Sequence, residues 1–258
     1  VRVRVVVLDA EGTSFSRGVD PAWMQRAGTA SPASNEADAQ RFAAMLQSVA
    51  ECPKPVIACV SGDAFGAGLG LCCASDLVLA APQARFALDQ VRRGWVPAMV
   101  GPHVIQAVGR REAQRLALTA APIDAHRAER IGLVTEVVSD AAMPEVLERI
   151  VAELLSNGPC ALAWTKRLYA TLPVDATDGR GQQMAVRALA RMRASTEALE
   201  GCAAALERRA PAWSSEAPVP DWIEPGAAAA SDSGFGALDF ELPLDPIQLP
   251  AISAVRPT

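Results

Sequence analysis

Three apolar runs constrain this chain most: residues 3–8 (VRVVVL), Val56-Ile-Ala-Cys-Val60 and Leu77-Val-Leu-Ala80. Each is short, rich in β-branched residues and continuous rather than alternating, as a strand covered on both faces should be. A shorter run, Ala84-Arg-Phe-Ala87, reads as a fourth strand. Between the first two, Ala37–Ala50 places Phe42, Met45, Leu46 and Val49 at helical spacing. Ser31–Asn35 ahead of it reads as a turn, and Pro53 and Pro55 close it. Strands separated by helices predict an α/β fold with parallel pairing.

From about residue 98 the pattern turns helical. Ala-, Leu- and Arg-rich stretches at 111–120, 142–156, 159–171 and 180–208 are punctuated by Pro122, Gly132, Gly158 and Pro173, with strand character only around Leu133–Val138. The expected organisation is a sheet-based core over 1–140, a helical oligomerisation region over 141–214 and a tail over 215–258. The tail carries seven prolines and seven acidic residues against one basic residue, Arg256, so it is expected to lack a core of its own. Its apolar residues (Phe235, Leu238, Phe240, Leu242, Leu244, Ile247, Leu249) predict an extended patch docked near Phe235–Leu249, beside mobile Ala/Ser/Gly at 226–234.

Composition excludes several functions. A net charge of −5 offers no basic excess for a phosphate backbone, and 5% aromatics leave little to stack on bases. No uncharged apolar run reaches the ~18 residues of a membrane span. The six cysteines form no C-x-x-C pair, and only His103 and His126 could join them, so no metal site is expected. With no charged-then-apolar leader at the start, reduced thiols in a cytoplasmic protein are the expectation.

Two turns carry the chemistry. Gly66-Ala-Gly-Leu-Gly70 follows a strand and opens a helix, leaving free N–H groups at a helix N-terminus, although it matches neither G-x-G-x-x-G nor a P-loop. Ser14-Phe-Ser-Arg-Gly-Val-Asp20 also follows a strand and turns at Gly18. Two such turns at neighbouring strand ends can aim two N–H donors at one oxygen, the arrangement that stabilises a thioester enolate.

With these segments the sequence resembles the crotonase (enoyl-CoA hydratase/isomerase) superfamily over roughly residues 3–213. The carriers are SFSRGVD (14–20), KPVIACVSGDAFGAGLGLCCASDLVLAAPQARFAL (54–88), VGRREAQRLALT (108–119), PIDAHRAERIGLV (122–134) and EGCAAALERRAPAW (200–213). The resemblance implies a spiral of βα units, homo-trimers or hexamers, and no cofactor beyond the coenzyme A or phosphopantetheine that carries the substrate. Its oxyanion N–H groups fall on Val19 and Ala67, and Arg17, Gly18, Gly66, Gly68, Gly70 and Trp95 become substrate-binding candidates. Two departures stand out. The superfamily hydratases' two glutamates correspond to Gly70 and Gln90, and Gln neither takes nor releases a proton at neutral pH. Asp89 and then Asp20 are the remaining acid/base candidates, each also placed to cap a helix. Members usually begin with a further strand and helix, so the edge of residues 3–8 is expected to be unpaired.

Within the superfamily the chain is most similar to the dehydratases of polyketide β-branching, through Gly94-Trp-Val-Pro-Ala-Met-Val-Gly-Pro102 and Leu118-Thr-Ala-Ala-Pro-Ile123. The expected activity is therefore a dehydratase or isomerase acting on an acyl-carrier-protein or CoA thioester. The alternatives are a catabolic enoyl-CoA hydratase/isomerase and an inactive crotonase-fold scaffold.

Overall fold

The computed structural model describes residues 3–172 and 179–214, together with the backbone of a strand at Ala251–Val255. The chain winds as a spiral in which successive passes leave strands on two separate sheets. The first pass gives β1 (Val5–Asp9) and β2 (Ser14–Ser16), followed by helices α1 (Pro21–Ala27) and α2 (Pro32–Ala50). The second gives β3 (Val56–Val60), β4 (Asp63–Phe65) and α3 (Ala67–Ala74). The third gives β5 (Leu77–Ala80), β6 (Arg85–Ala87), a 3-10 turn at Gln90–Arg93 and α4 (Gly101–Thr119), which breaks at Gly109. Short strands β7 (Ile123–Asp124) and β8 (Glu136–Val137) flank α5 (Ala125–Arg130). Helices α6 (Met143–Ser156), α7 (Pro159–Thr171), α8 (Gly179–Arg193) and α9 (Thr196–Glu207) follow.

One sheet has the order β8-β5-β3-β1-β9, where β9 is Ala251–Val255, and the other β2-β4-β6-β7. Parallel registers such as Val7↔Ile57 and Ile57↔Leu77 bear out the parallel pairing expected from the apolar runs. One core lies between the two sheets and α2 to α5, with Phe86, Leu46 and Leu69 fully buried. A second lies on the other face of β1, β3 and β5, under α6.

Several expectations need correction. Helix α2 begins at Pro32, not residue 37, because the Ser31 side chain accepts the Ser34 N–H and Pro32 takes the first helical position. The segment 180–208 is two helices, separated where the Ser195 side chain caps α9 through the Ala198 N–H. The apolar face of α6 does not stand free for a partner: Ile150 and Val151 are buried and Leu147, Leu154 and Leu155 pack on the sheet. Lys166 of α7 reaches the Asp76 carboxylate at 2.7 Å, and Asp76 also accepts the Val56 N–H. Glu197 of α9, only 6% exposed, accepts the Cys160 and Ala161 N–H groups at the start of α7.

The edge at residues 3–8 is not open. β9 pairs antiparallel with β1 along its whole length, Val5↔Val255 to Asp9↔Ala251. The docking patch expected at Phe235–Leu249 lies outside the described residues. Removal of residues 251–258 should unmask the β1 edge and produce concentration-dependent association beyond that of the full chain. Sedimentation velocity checks this, and an unchanged distribution would refute it.

Candidate active site

The site begins with close approaches that only glycine allows. A Cβ on Gly68 would lie 2.4 Å from the Ser16 carbonyl oxygen, so the first turn of α3 is seated directly against β2. Gly18 has φ +92°, and a Cβ there would stand 3.1 Å from the Phe65 oxygen and 3.3 Å from the Ala67 nitrogen. The turn after β2 and the start of α3 are thus in contact. Ala67 is the first residue of its helix, so its N–H has no intrahelical acceptor. Among the described residues neither the Val19 nor the Ala67 N–H takes part in a hydrogen bond.

Both residues open onto one cavity of about 540 Å³. Its walls come from the two turns, from Trp23, Met24 and Ala27 of α1, from one face of α2 and from the loop Gly94–Val100. Much of the lining is apolar, as an acyl chain requires, with Arg17, Arg93, Gln90, Asn35 and Asp38 as the polar exceptions. Arg17 is 66% exposed, lies 3.9 Å from Asp63 and sits over the Phe65 ring.

The structure divides the candidate residues. Arg17, Gly18, Val19, Gly66, Ala67, Gln90 and Trp95 line the cavity. Gly68, Gly70, Asp20 and Asp89 do not. Gly68 faces Ser16, and Gly70 faces Val100 and Leu46 inside the core. Asp20 accepts the Ala22 N–H at 2.9 Å and caps α1. Asp89 precedes the 3-10 turn without capping it and instead binds Arg93 at 2.8 Å. His103 is also off the cavity wall, its pKa lowered by burial, and His126 is exposed beside Glu129.

Gly70 and Gln90 have different surroundings. At Gly70 the space is filled: a Cβ would meet the Val100 Cγ1 at 2.5 Å and the Leu46 Cδ2 at 3.4 Å. At Gln90 a polar side chain remains in place. Its Nε2 lies 3.4 Å from where a Gly66 Cβ would be, and its Oε1 is buried with no partner among the described residues. The Gly66 N–H donates to the Ala87 oxygen, which anchors the glycine turn beside this amide.

No group of His, Cys, Asp and Glu among the described residues could hold a metal. The cysteines are all free, and only Cys202 is exposed. Burial pushes the thiols of Cys59 and Cys73 up to about 12 and that of Cys72 well above its ordinary value, so none of the three supplies a nucleophilic thiolate at neutral pH. No helix among the described residues is long and apolar enough to cross a membrane.

The sequence profile of the enoyl-CoA hydratase/isomerase family matches residues 1–216. The chain belongs to this family. An enoyl-CoA hydratase structure from Shewanella pealeana superposes with a TM-score of 0.76 at 36% identity, covering 81% of this chain and 78% of that one. The carnitinyl-CoA dehydratase of Escherichia coli K12 is 28% identical over 219 residues, 82% of each chain. A (7aS)-7a-methyl-1,5-dioxo-2,3,5,6,7,7a-hexahydro-1H-indene-carboxyl-CoA hydrolase of Mycobacterium tuberculosis is 38% identical over 154 residues, 60% of this chain and 61% of its own. The crotonase fold and an enzyme of the hydratase/isomerase kind thus stand on both geometry and likeness.

The sequence reading missed the contribution of α2. Asn35, Asp38, Ala39 and Phe42 line the cavity at the spacing of one helical face. The Ser31-Pro32 start would have extended the helix back to include Asn35. Val100 was missed too, since no local pattern announces which side chain will face a glycine thirty residues away.

Gly70→Ala should destabilise the fold by about 1–3 kcal/mol, because the added methyl meets a buried, β-branched neighbour. Adding Val100→Ala should recover much of that loss. Denaturant unfolding of the two variants tests this, and a Gly70→Ala midpoint at or above wild type would contradict it.

Proposed function

We propose that this chain stabilises the enolate of an acyl-CoA thioester and carries out a double-bond isomerisation or a dehydration. The observation that carries the reading is that the Val19 and Ala67 N–H groups, neither bonded to a described residue, stand on one largely apolar cavity. A thioester carbonyl placed between them gains two donors as its oxygen becomes negative, and the donors are already fixed in place. The carrier's pantetheine arm leaves toward Arg17, and its acyl group fills the space between α1, α2 and Trp95.

Water addition that uses two glutamates is not available here. Val100 occupies the room beside Gly70, and Gln90 exchanges no proton. Gln90 instead offers its unpartnered oxygen to a substrate hydroxyl, or its amide N–H to a carbonyl. A reaction that needs one proton-transfer group fits this wall better than one that needs two. The carnitinyl-CoA dehydratase among the relatives supports dehydration as one such reaction; being the reverse of water addition, it too would have to run here on a single proton carrier. A carrier-protein thioester of polyketide biosynthesis presents the same pantetheine arm. Parallel assays of one acyl group on coenzyme A and on a carrier protein tell the two sources apart.

Trimeric assembly belongs to the same proposal. With α6 committed to the sheet, the exposed apolar residues Tyr169, Val186, Leu189, Leu199 and Leu206 on α7 to α9 are what a neighbouring subunit would cover. A trimer or a pair of trimers is the expected result of sedimentation at micromolar concentration; a monomer would overturn it.

Ala67→Pro is the sharpest test of the oxyanion pair. It removes the donor at the one helical position where proline is well tolerated. Turnover of acyl-CoA should fall by about 100-fold or more with the fold intact. A folded Ala67→Pro protein with an unchanged rate would remove the basis of this reading.

A further inference from the structure

We infer that Asp38 is the residue that moves the proton in this cavity. The inference rests on the thioester reading above. Enolate formation needs a base within reach of the carbon beside the carbonyl, and the oxyanion pair supplies none. Among the described residues that line the cavity, Asp38 is the one carboxylate. Asp20 caps α1 and Asp63 makes a paired contact with Arg85 at 2.9 and 3.0 Å. Asp89, whose Oδ1 lies 3.8 Å from where a Gly66 Cβ would be, is held by Arg93 at 2.8 Å and is not itself part of the cavity wall.

Asp38 opens onto the same cavity as Val19 and Ala67. It sits on the cavity face of α2, one turn after Asn35 and one before Phe42, and its side chain is 20% exposed. Its ion-pair partner is Arg41 on the same helix, a side chain that is 60% exposed and is not part of the cavity wall. A carboxylate can enter the reaction as a base.

The step balances without a co-reactant. Asp38 takes the proton from the α-carbon of the thioester. The electrons of that C–H bond become the carbon–carbon double bond of the enolate, and the carbonyl π electrons move onto the oxygen held by the Val19 and Ala67 N–H groups. In an isomerisation of a β,γ-unsaturated thioester, the same proton returns to the γ-carbon as the double bond moves into conjugation. In a dehydration, the enolate re-forms the carbonyl and expels the β-hydroxyl, which leaves as water with the proton that Asp38 carries.

Exchange of the α-hydrogens of butyryl-CoA with deuterated water isolates the first half of this step, because butyryl-CoA has no leaving group and no double bond to move. Mass spectrometry follows the exchange, and calorimetry follows binding of the same compound. Asp38→Asn should slow exchange by about 100-fold or more while binding changes little, and Asp38→Glu should retain part of the rate. Melting curves confirm that the variants are folded. Exchange that is lost in Ala67→Pro but intact in Asp38→Asn overturns the role of Asp38 and leaves the thioester reading standing. The same holds if Asp89→Asn abolishes exchange while Asp38→Asn does not. A wild-type protein that neither binds butyryl-CoA nor exchanges its hydrogens overturns both.

Discussion

The contact between the first turn of α3 and β2 is the constraint on which the site depends. Gly68 lets the helix settle against the Ser16 carbonyl, where any side chain would hold it away. Only at that separation can the Gly18 turn lie beside Ala67. The N–H groups proposed as donors are backbone groups placed by this packing, with no side chain involved. The two cores on either face of the main sheet keep that packing rigid, and rigidity is what a preorganised donor pair requires.

Gly70 and Gln90 differ in what a substitution would meet. Gln90 already places a polar group of the length of glutamate on the cavity wall. At Gly70, Val100 and Leu46 take the volume a longer side chain would need, so a larger residue there meets the core first.

How much could be read from the sequence followed the range of the interactions involved. The strands at 56–60 and 77–80 were legible because a run of buried apolar residues carries its own signal. So were the two turns, since a glycine after a strand and before a helix has few other uses. The short strands β2 and β4 were not distinguished, because each lies within a turn-rich segment next to a longer apolar run, whereas β6 stands apart from one. The start of α2 was legible in principle, but the turn composition of Ser31–Asn35 hid a cap and a helical proline. The closure at Gly70 was beyond reach, as it depends on a residue from a different pass of the spiral. The position of Asp38 on the cavity wall likewise depends on which face α2 turns inward, and only the packing of Met45, Leu46 and Val49 settles that.

The pairing of β9 with β1 joins residues almost the full chain apart, such as Val7 and Ser253. Contacts this distant in sequence close late, since a long loop must be gathered before any of its hydrogen bonds form. During synthesis the ribosome releases β1 first and residues 251–255 far behind. Through that interval the pairing that β9 gives to β1 is absent, while β3 already pairs the other side of that strand.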